Sequence, residues 1–268
     1  MNENQNEHGH HEELTRLVEP EIIKMGPIKR IISIFFSPGE LMFNIKAYPV
    51  IGIPLLLTII IGLASIPVSL QVADLSMQEM SRLSIEMHGV DLTGFTALQD
   101  LDVYGDEESA VAPVVLVTSI AGVVAFPLIG ASFSALGLWI LTKIFRGEAK
   151  VAHYFSLYIH IWVLSSIGTL ISSWLMVNTG RFLDLTSLAA VLMPEGDISM
   201  PVFNILTTVS IFGIWTSVLV FLGVKYINSF SAVKAVIITI IAYVAASALG
   251  VGIIMSTFIL WNFSAGFM

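Results

Sequence analysis

Residues 109–142 read SAVAPVVLVTSIAGVVAFPLIGASFSALGLWILT, a stretch without a single Asp, Glu, Lys or Arg. A helix rises ~1.5 Å per residue, so ~20 apolar residues suffice to cross a hydrocarbon layer ~30 Å thick. Four further windows are equally free of charge: 47–73, 151–180, 198–224 and 235–268. In lipid every backbone polar group has to be satisfied within its own segment, and for isolated segments of this length that selects the α-helix. The expected fold is therefore all-α. It is a polytopic membrane bundle of five helices, with spans at about 50–70, 113–142, 155–177, 202–224 and 235–258.

The composition agrees with this reading. Hydrophobic residues make up 56% and charged residues 12%, with a mean hydropathy of +0.87, outside the range of ordinary soluble domains. Five helices and their connections use nearly all 268 residues, which leaves no room for a separate soluble domain of ordinary size. A formal charge of −8 offers no basic surface for nucleic acid. Cysteine is absent, which removes disulfides, thiolate metal sites and cysteine nucleophiles from consideration. The chain opens with a polar stretch, Met1 to Glu13, instead of a basic cluster followed by a short apolar core. The first span is thus expected to act as an uncleaved signal anchor.

Lysine and arginine set the orientation. Arg16, Lys24, Lys29, Arg30 and Lys46 precede span 1, Lys143, Arg146 and Lys150 separate spans 2 and 3, and Lys225 and Lys234 separate spans 4 and 5. The alternate connections hold only Arg82 and Arg181. Basic residues near span ends stay on the cytoplasmic side. A ten-to-two split therefore predicts an inside N-terminus and, after five spans, an outside C-terminus.

Residues 1–20 form a polar, Asn/Glu/His-rich head expected to be disordered. Beyond it, Ile28, Ile31, Ile32, Phe35 and Phe36 recur at helical spacing, with Lys29 and Arg30 on another face. Ser37-Pro38-Gly39-Glu40 reads as a helix start. Ser37 is the expected N-cap, Pro38 takes the first position, and Glu40 completes a capping box. Two short helices across 28–46 are expected to lie in the cytoplasmic interface. Pro54 and Pro67 are candidate bends in span 1. After it, Val72, Ser76, Met80, Leu83 and Met87 keep a helical period into an acidic outer loop, 71–110, whose remainder reads as irregular. Spans 2 and 3 form one antiparallel hairpin, and spans 4 and 5 a second.

The segment Arg30 to Pro54, RIISIFFSPGELMFNIKAYPVIGIP, resembles the start of the Yip1 domain in bacterial and archaeal proteins. There a short helix leads into a Ser-Pro turn, an amphipathic helix and a proline-containing first span. Ile144-Phe145-Arg146-Gly147-Glu148-Ala149 is similar to the family's Phe-x-Gly hairpin segment, and Tyr154 to Ser165 follows as the start of span 3. The resemblance covers about residues 28–260. It implies a five-helix bundle with a cytoplasmic N-terminus in a prokaryotic plasma membrane. Two departures stand out. The proline that many relatives carry early in span 3 is replaced by the run Ser156 to Trp162. The string Asp102-Val103-Tyr104-Gly105-Asp106 follows span 1, whereas the similar segment of eukaryotic members precedes theirs. The Rab-GTPase partnership of those members is accordingly not implied.

Candidate chemistry is sparse. His8, His10 and His11 lie among Glu7, Glu12 and Glu13, but a flexible tail fixes no ligand geometry, so a solvated tail is preferred to a metal site. Asp100, Asp102 and Gly105 match part of a calcium loop, while Tyr104 and Val111 stand where ligands are required. His160 is the titratable side chain of span 3, about 155–177, other than tyrosine. Ser165, Ser166, Thr169, Ser172 and Ser173 follow on the same span. His160, Ser166 and Thr169 are the polar candidates, read first as interhelical hydrogen-bonding groups. No acidic or basic residue lies at the core of any span, which argues against an ion-coupled pump. Gly130 with Ser134 and Ala246 with Gly250 favour close helix packing. Trp139, Trp162, Trp174 and Trp261 are expected near the interfaces. No nucleophile elbow, His-Glu-x-x-His pair or phosphate loop appears, so neither an enzyme nor a cofactor is expected. The functional expectation is an accessory or organising factor. Its partners would be the lipid bilayer and other membrane proteins, with a homo-oligomer left open. The alternative is a small-solute or lipid transporter with a hydroxyl-lined cavity near span 3.

Overall fold

A computed structural model describes residues 23–88, 111–180, 184–192, 206 and 209–265. Its elements in chain order are α1 (Pro27–Phe36), α2 (Pro38–Ala47), α3 (Gly52–His88), α4 (Val111–Ile144), α5 (Val151–Thr179), α6 (Leu188–Leu192), α7 (Ile211–Ile227) and α8 (Ala232–Ala265). Among the described residues there is no strand, only a single antiparallel bridge between Ser187 and Ser210. Three helical stretches are long and apolar enough to cross a membrane: Gly52–Ser76, Val117–Ile144 and Val151–Thr179. Ile211–Ile227 and Ala232–Ala248 are apolar but shorter.

The central helix is α5, which packs against α1, α2, α3, α4 and α7. Small residues let the helices close up. A methyl group on Gly130 of α4 would lie 2.8 Å from the Trp162 ring of α5. One on Gly168 of α5 would lie 2.7 Å from Phe212, and one on Gly223 of α7 would lie 2.5 Å from Leu157. Since 168 meets 212 and 157 meets 223, α5 and α7 run antiparallel. Of the pair expected to pack closely, Gly130 does so against Trp162, which places that indole inside the bundle.

Lys46, Lys143, Arg146, Lys150, Lys225 and Lys234 all belong to one end of the bundle, here termed the basic end. Both turns there close in the same way. Gly147 N–H donates to the Thr142 carbonyl at 2.8 Å with Arg146 left-handed (φ 62°), and Phe230 N–H donates to the Lys225 carbonyl at 2.9 Å with Ser229 left-handed (φ 57°). This is the six-to-one bond of a helix ending on a left-handed residue. Asn228 ties the two turns together. Its Nδ2 donates to the Tyr154 hydroxyl at 2.6 Å, its Oδ1 accepts from Ala149 N–H at 3.4 Å, and Tyr154 in turn donates to Thr142 Oγ1 at 2.9 Å.

Helices α1 and α2 form a hairpin wedged into this end. Ile34, Leu41, Met42 and Ile45 are fully buried against Leu157, Leu164, Leu219 and Val224. The Trp215 indole N–H donates to the Ile34 carbonyl at 2.9 Å, Lys46 Nζ reaches Ser229 Oγ at 2.8 Å, and Ser156 Oγ donates to the Val50 carbonyl at 2.7 Å. Arg30 departs from the sequence expectation. It faces inward at 2% exposure and donates to the carbonyls of Met25 and Tyr48 and to Asn44 Oδ1. Burial lowers its pKa, yet an arginine remains cationic in proteins. Asn44 Nδ2 completes the knot on the Ile23 carbonyl at 2.9 Å. The apolar stripe of α1 is turned outward, with Ile28, Ile32 and Phe36 at 74%, 51% and 84% exposure.

Other expectations are corrected as well. Ser37 does not cap α2. Its hydroxyl turns back to Ser33 Oγ at 3.2 Å, and Glu40 is drawn instead to Lys29 Nζ at 2.9 Å across the hairpin. The helix of span 1 continues to His88, as the apolar period after Val72 suggested. The described helix of span 4, α7, starts at Ile211. Leu188 N–H donates to the Val209 carbonyl at 2.7 Å and Ile211 N–H to the Thr186 carbonyl at 3.1 Å. These bonds hold the backbone extended up to Ser210, whose Oγ caps the helix on Gly213 N–H at 3.0 Å. The N-terminal head with its His/Glu cluster and the Asp100–Gly105 segment lie outside the described residues.

Candidate functional site

The hydroxyls of α5 decide where a site can be. Ser165, Thr169, Ser172, Ser173 and Met176 follow one another at three- and four-residue intervals, so they share a face of the helix. That face looks into a cavity of about 550 Å3 at the end opposite the basic turns. Its walls are Val72 of α3, the α5 hydroxyls, Phe212, Gly213 and Thr216 of α7, and Tyr243 of α8. Asp184, Thr186 and Ser210 line it from the connection before α7. A second cavity of about 300 Å3 lies between α3, α4 and α5. Thr58, Gly62, Ser65, Trp162, Ser166 and Thr169 are among its lining.

In an apolar helix a Ser or Thr usually spends its proton on a carbonyl one turn back. Thr58, Ser132, Ser217 and Thr239 do so, onto Pro54, Leu128, Gly213 and Ala235 at 2.7–3.0 Å. Ser165, Thr169, Ser173 and Thr216 have no hydrogen-bond partner among the described residues, although all four line the larger cavity. Their capacity is left for something inside it.

Asp184 supplies the one carboxylate among that cavity's lining. Its Oδ1 accepts from Ser172 Oγ, from Thr186 N–H at 2.8 Å and from Thr186 Oγ1 at 2.7 Å. Its carbonyl accepts from Ser187 Oγ at 2.6 Å. The connection is thereby stapled to α5, and the bond from Ile211 N–H to the Thr186 carbonyl ties it to the start of α7. Sequence reasoning missed Asp184, because a single acid in an outer connection carries no local signal that it folds back onto Ser172, 12 positions earlier on α5. Phe212 and Tyr243 were missed for the same reason, as apolar-window aromatics without a distinguishing pattern.

The three polar candidates are divided. Ser166 and Thr169 line the smaller cavity, and Thr169 lines both. His160 lines neither. It is 1% exposed, and its Nδ1 lies 2.7 Å from the Ser156 carbonyl. A carbonyl only accepts, which assigns the proton to Nδ1. Nε2 is then a bare acceptor, buried and without a partner among the described residues. Ser156 itself holds the Val50 carbonyl, so His160 belongs to the seam joining α5 to the segment between α2 and α3.

No group of three or more metal-ligating side chains occurs among the described residues. No family model, curated protein or solved structure matches this chain.

Proposed function

We propose that this chain is a five-span integral membrane protein of Yip1 type that acts as an accessory or organising factor, through protein and lipid contacts and without turnover. In this reading spans 4 and 5 are α7 and α8, the basic end is cytoplasmic and the C-terminus is external, in a prokaryotic plasma membrane. The observation that carries it is the filled basic half of the bundle. Ile34, Leu41 and Ile45 of the hairpin close against Tyr154, Leu157 and Ile161 of α5, and all six are at most 5% exposed. A solute path needs a hydrated passage, and this half offers packed apolar side chains. The outward stripe Ile28, Ile32 and Phe36 supports the lipid contact, since three large apolar groups on one helix face are stable in the bilayer boundary and costly in water.

The natural absence of cysteine gives a clean test. With cysteine at position 157 or 161, a membrane-impermeant thiol reagent is expected to leave both unlabelled from either side. Rapid labelling from the cytoplasm would overturn the closed reading. A photocrosslinker at Phe36 in native membranes should yield discrete protein adducts beside lipid ones; lipid adducts alone would remove the organising role. The hydroxyl-lined cavity favours one competing reading, transport of a small solute or lipid from an outward-open state. That reading requires position 161 to become labelled during turnover.

A further inference from the structure

We infer that the larger cavity binds the ammonium group of a small organic amine, held between Asp184 and the unspent hydroxyls of α5 and α7. Four observations converge there. An ionised carboxylate has about four lone-pair positions over two oxygens. The three donors at Asp184 all go to Oδ1. The role of Asp184 in organising its turn therefore accounts for one oxygen and leaves Oδ2 open. Among the described residues no Lys, Arg or His lines the cavity, so none of its described walls competes with a bound cation for the Asp184 carboxylate. Ser165, Thr169 and Thr216 offer acceptor oxygens to the remaining N–H groups of such a cation. Phe212 and Tyr243 add aromatic side chains to the lining, a residue type that attracts a positive charge.

Size and charge exclude the neighbouring classes. A space of about 550 Å3 matches a small-molecule pocket. It is too wide for one carboxylate and scattered hydroxyls to complete the six to eight oxygen ligands of a calcium ion. Anions are repelled by Asp184. The shared chemistry is thus an ethanolamine-like ammonium, either free or as the headgroup of a phospholipid.

The full-length protein in nanodiscs of phosphatidylglycerol, which carries no amine, gives the first arm. Calorimetric titration with ethanolamine is expected to saturate, while the uncharged analogue ethylene glycol binds roughly tenfold more weakly or worse, the loss of a charge-assisted contact. Asp184→Asn keeps the Oδ1 acceptor of the turn and removes the charge, and should weaken ethanolamine by a similar factor. Thr169→Val leaves the turn untouched and should weaken it severalfold, so the inference remains testable even if the Asp184 variant misfolds. In the second arm, native mass spectrometry of protein exchanged from phosphatidylethanolamine nanodiscs reads retained lipid. Retention that free ethanolamine displaces identifies the headgroup as the source; binding of the free amine without retention identifies a soluble ligand. Equal binding of ethylene glycol, unaltered affinity in both variants, or no saturable binding in either arm overturns the inference.

Discussion

Tyr154 passes a hydrogen bond from Asn228 to Thr142, and so joins the two turns of the basic end through one phenol. Its loss is limited by redundancy. Asn228 Nδ2 also donates to the Val224 carbonyl at 3.1 Å, and Thr142 Oγ1 to the Trp139 carbonyl at 2.9 Å. Tyr154→Phe should therefore cost about 1 kcal/mol, near the values typical of interhelical bonds in membranes. A detergent denaturation curve checks it, and a loss beyond about 3 kcal/mol would mean that the pair has no fallback. Ser37 makes the opposite case. As a cap its removal would cost ~1 kcal/mol, whereas a hydroxyl turned to Ser33 at 3.2 Å predicts a Ser37→Ala effect within about 0.5 kcal/mol. The cap was misread because the capping box is a local pattern, while Glu40 is claimed by Lys29 on the other helix. No four-residue window contains that competitor.

At the scale of the element, α1 turns its apolar stripe outward and its arginine inward. Lys29 and Arg30 are adjacent in sequence, and composition alone assigns both to a solvated face. Only the fold separates them, because the carbonyls of Met25 and Tyr48 and the Asn44 side chain converge on one guanidinium. Arg30→Ala should release the hairpin, at about 2–3 kcal/mol for hydrogen bonds to a charged donor. Cysteine at position 34, fully buried, reports it: protected in the parent chain and labelled once Arg30 is gone. Continued protection would show that apolar packing alone holds the hairpin. Between the long helices, Gly223→Ala forces a methyl into Leu157 and should cost about 1–3 kcal/mol. Gly137→Ala, with nothing near the added methyl, should be neutral or stabilising by up to about 1 kcal/mol, the helix propensity gained. Equal effects at the two glycines would contradict the packing of α5 on α7.

For the whole molecule, reporters fused at residues 20, 100, 147, 190, 230 and 268 should alternate inside and outside; positions 100 and 147 on one side would refute the five-span topology. The long helices were legible because lipid acts on composition directly, and a window without charge declares itself whatever its neighbours do. Ser166 and Thr169 were legible as a polar stripe on α5 for the same reason. The far walls of the larger cavity that Thr169 faces were not, since Asp184, Phe212 and Tyr243 come from three separate stretches whose meeting is a tertiary event. The hydrogen bond from Trp215 to the Ile34 carbonyl spans 181 positions of the chain, and the one from Lys46 to Ser229 spans 183. Their consequence is one of timing. At ~5–20 residues per second of synthesis, the first hairpin emerges roughly 10–35 s before the helix that will hold it. Arg30 and its three acceptors all lie between residues 25 and 48, so every partner of that knot is available throughout the interval, whereas the contacts with α7 must wait for the last third of the chain.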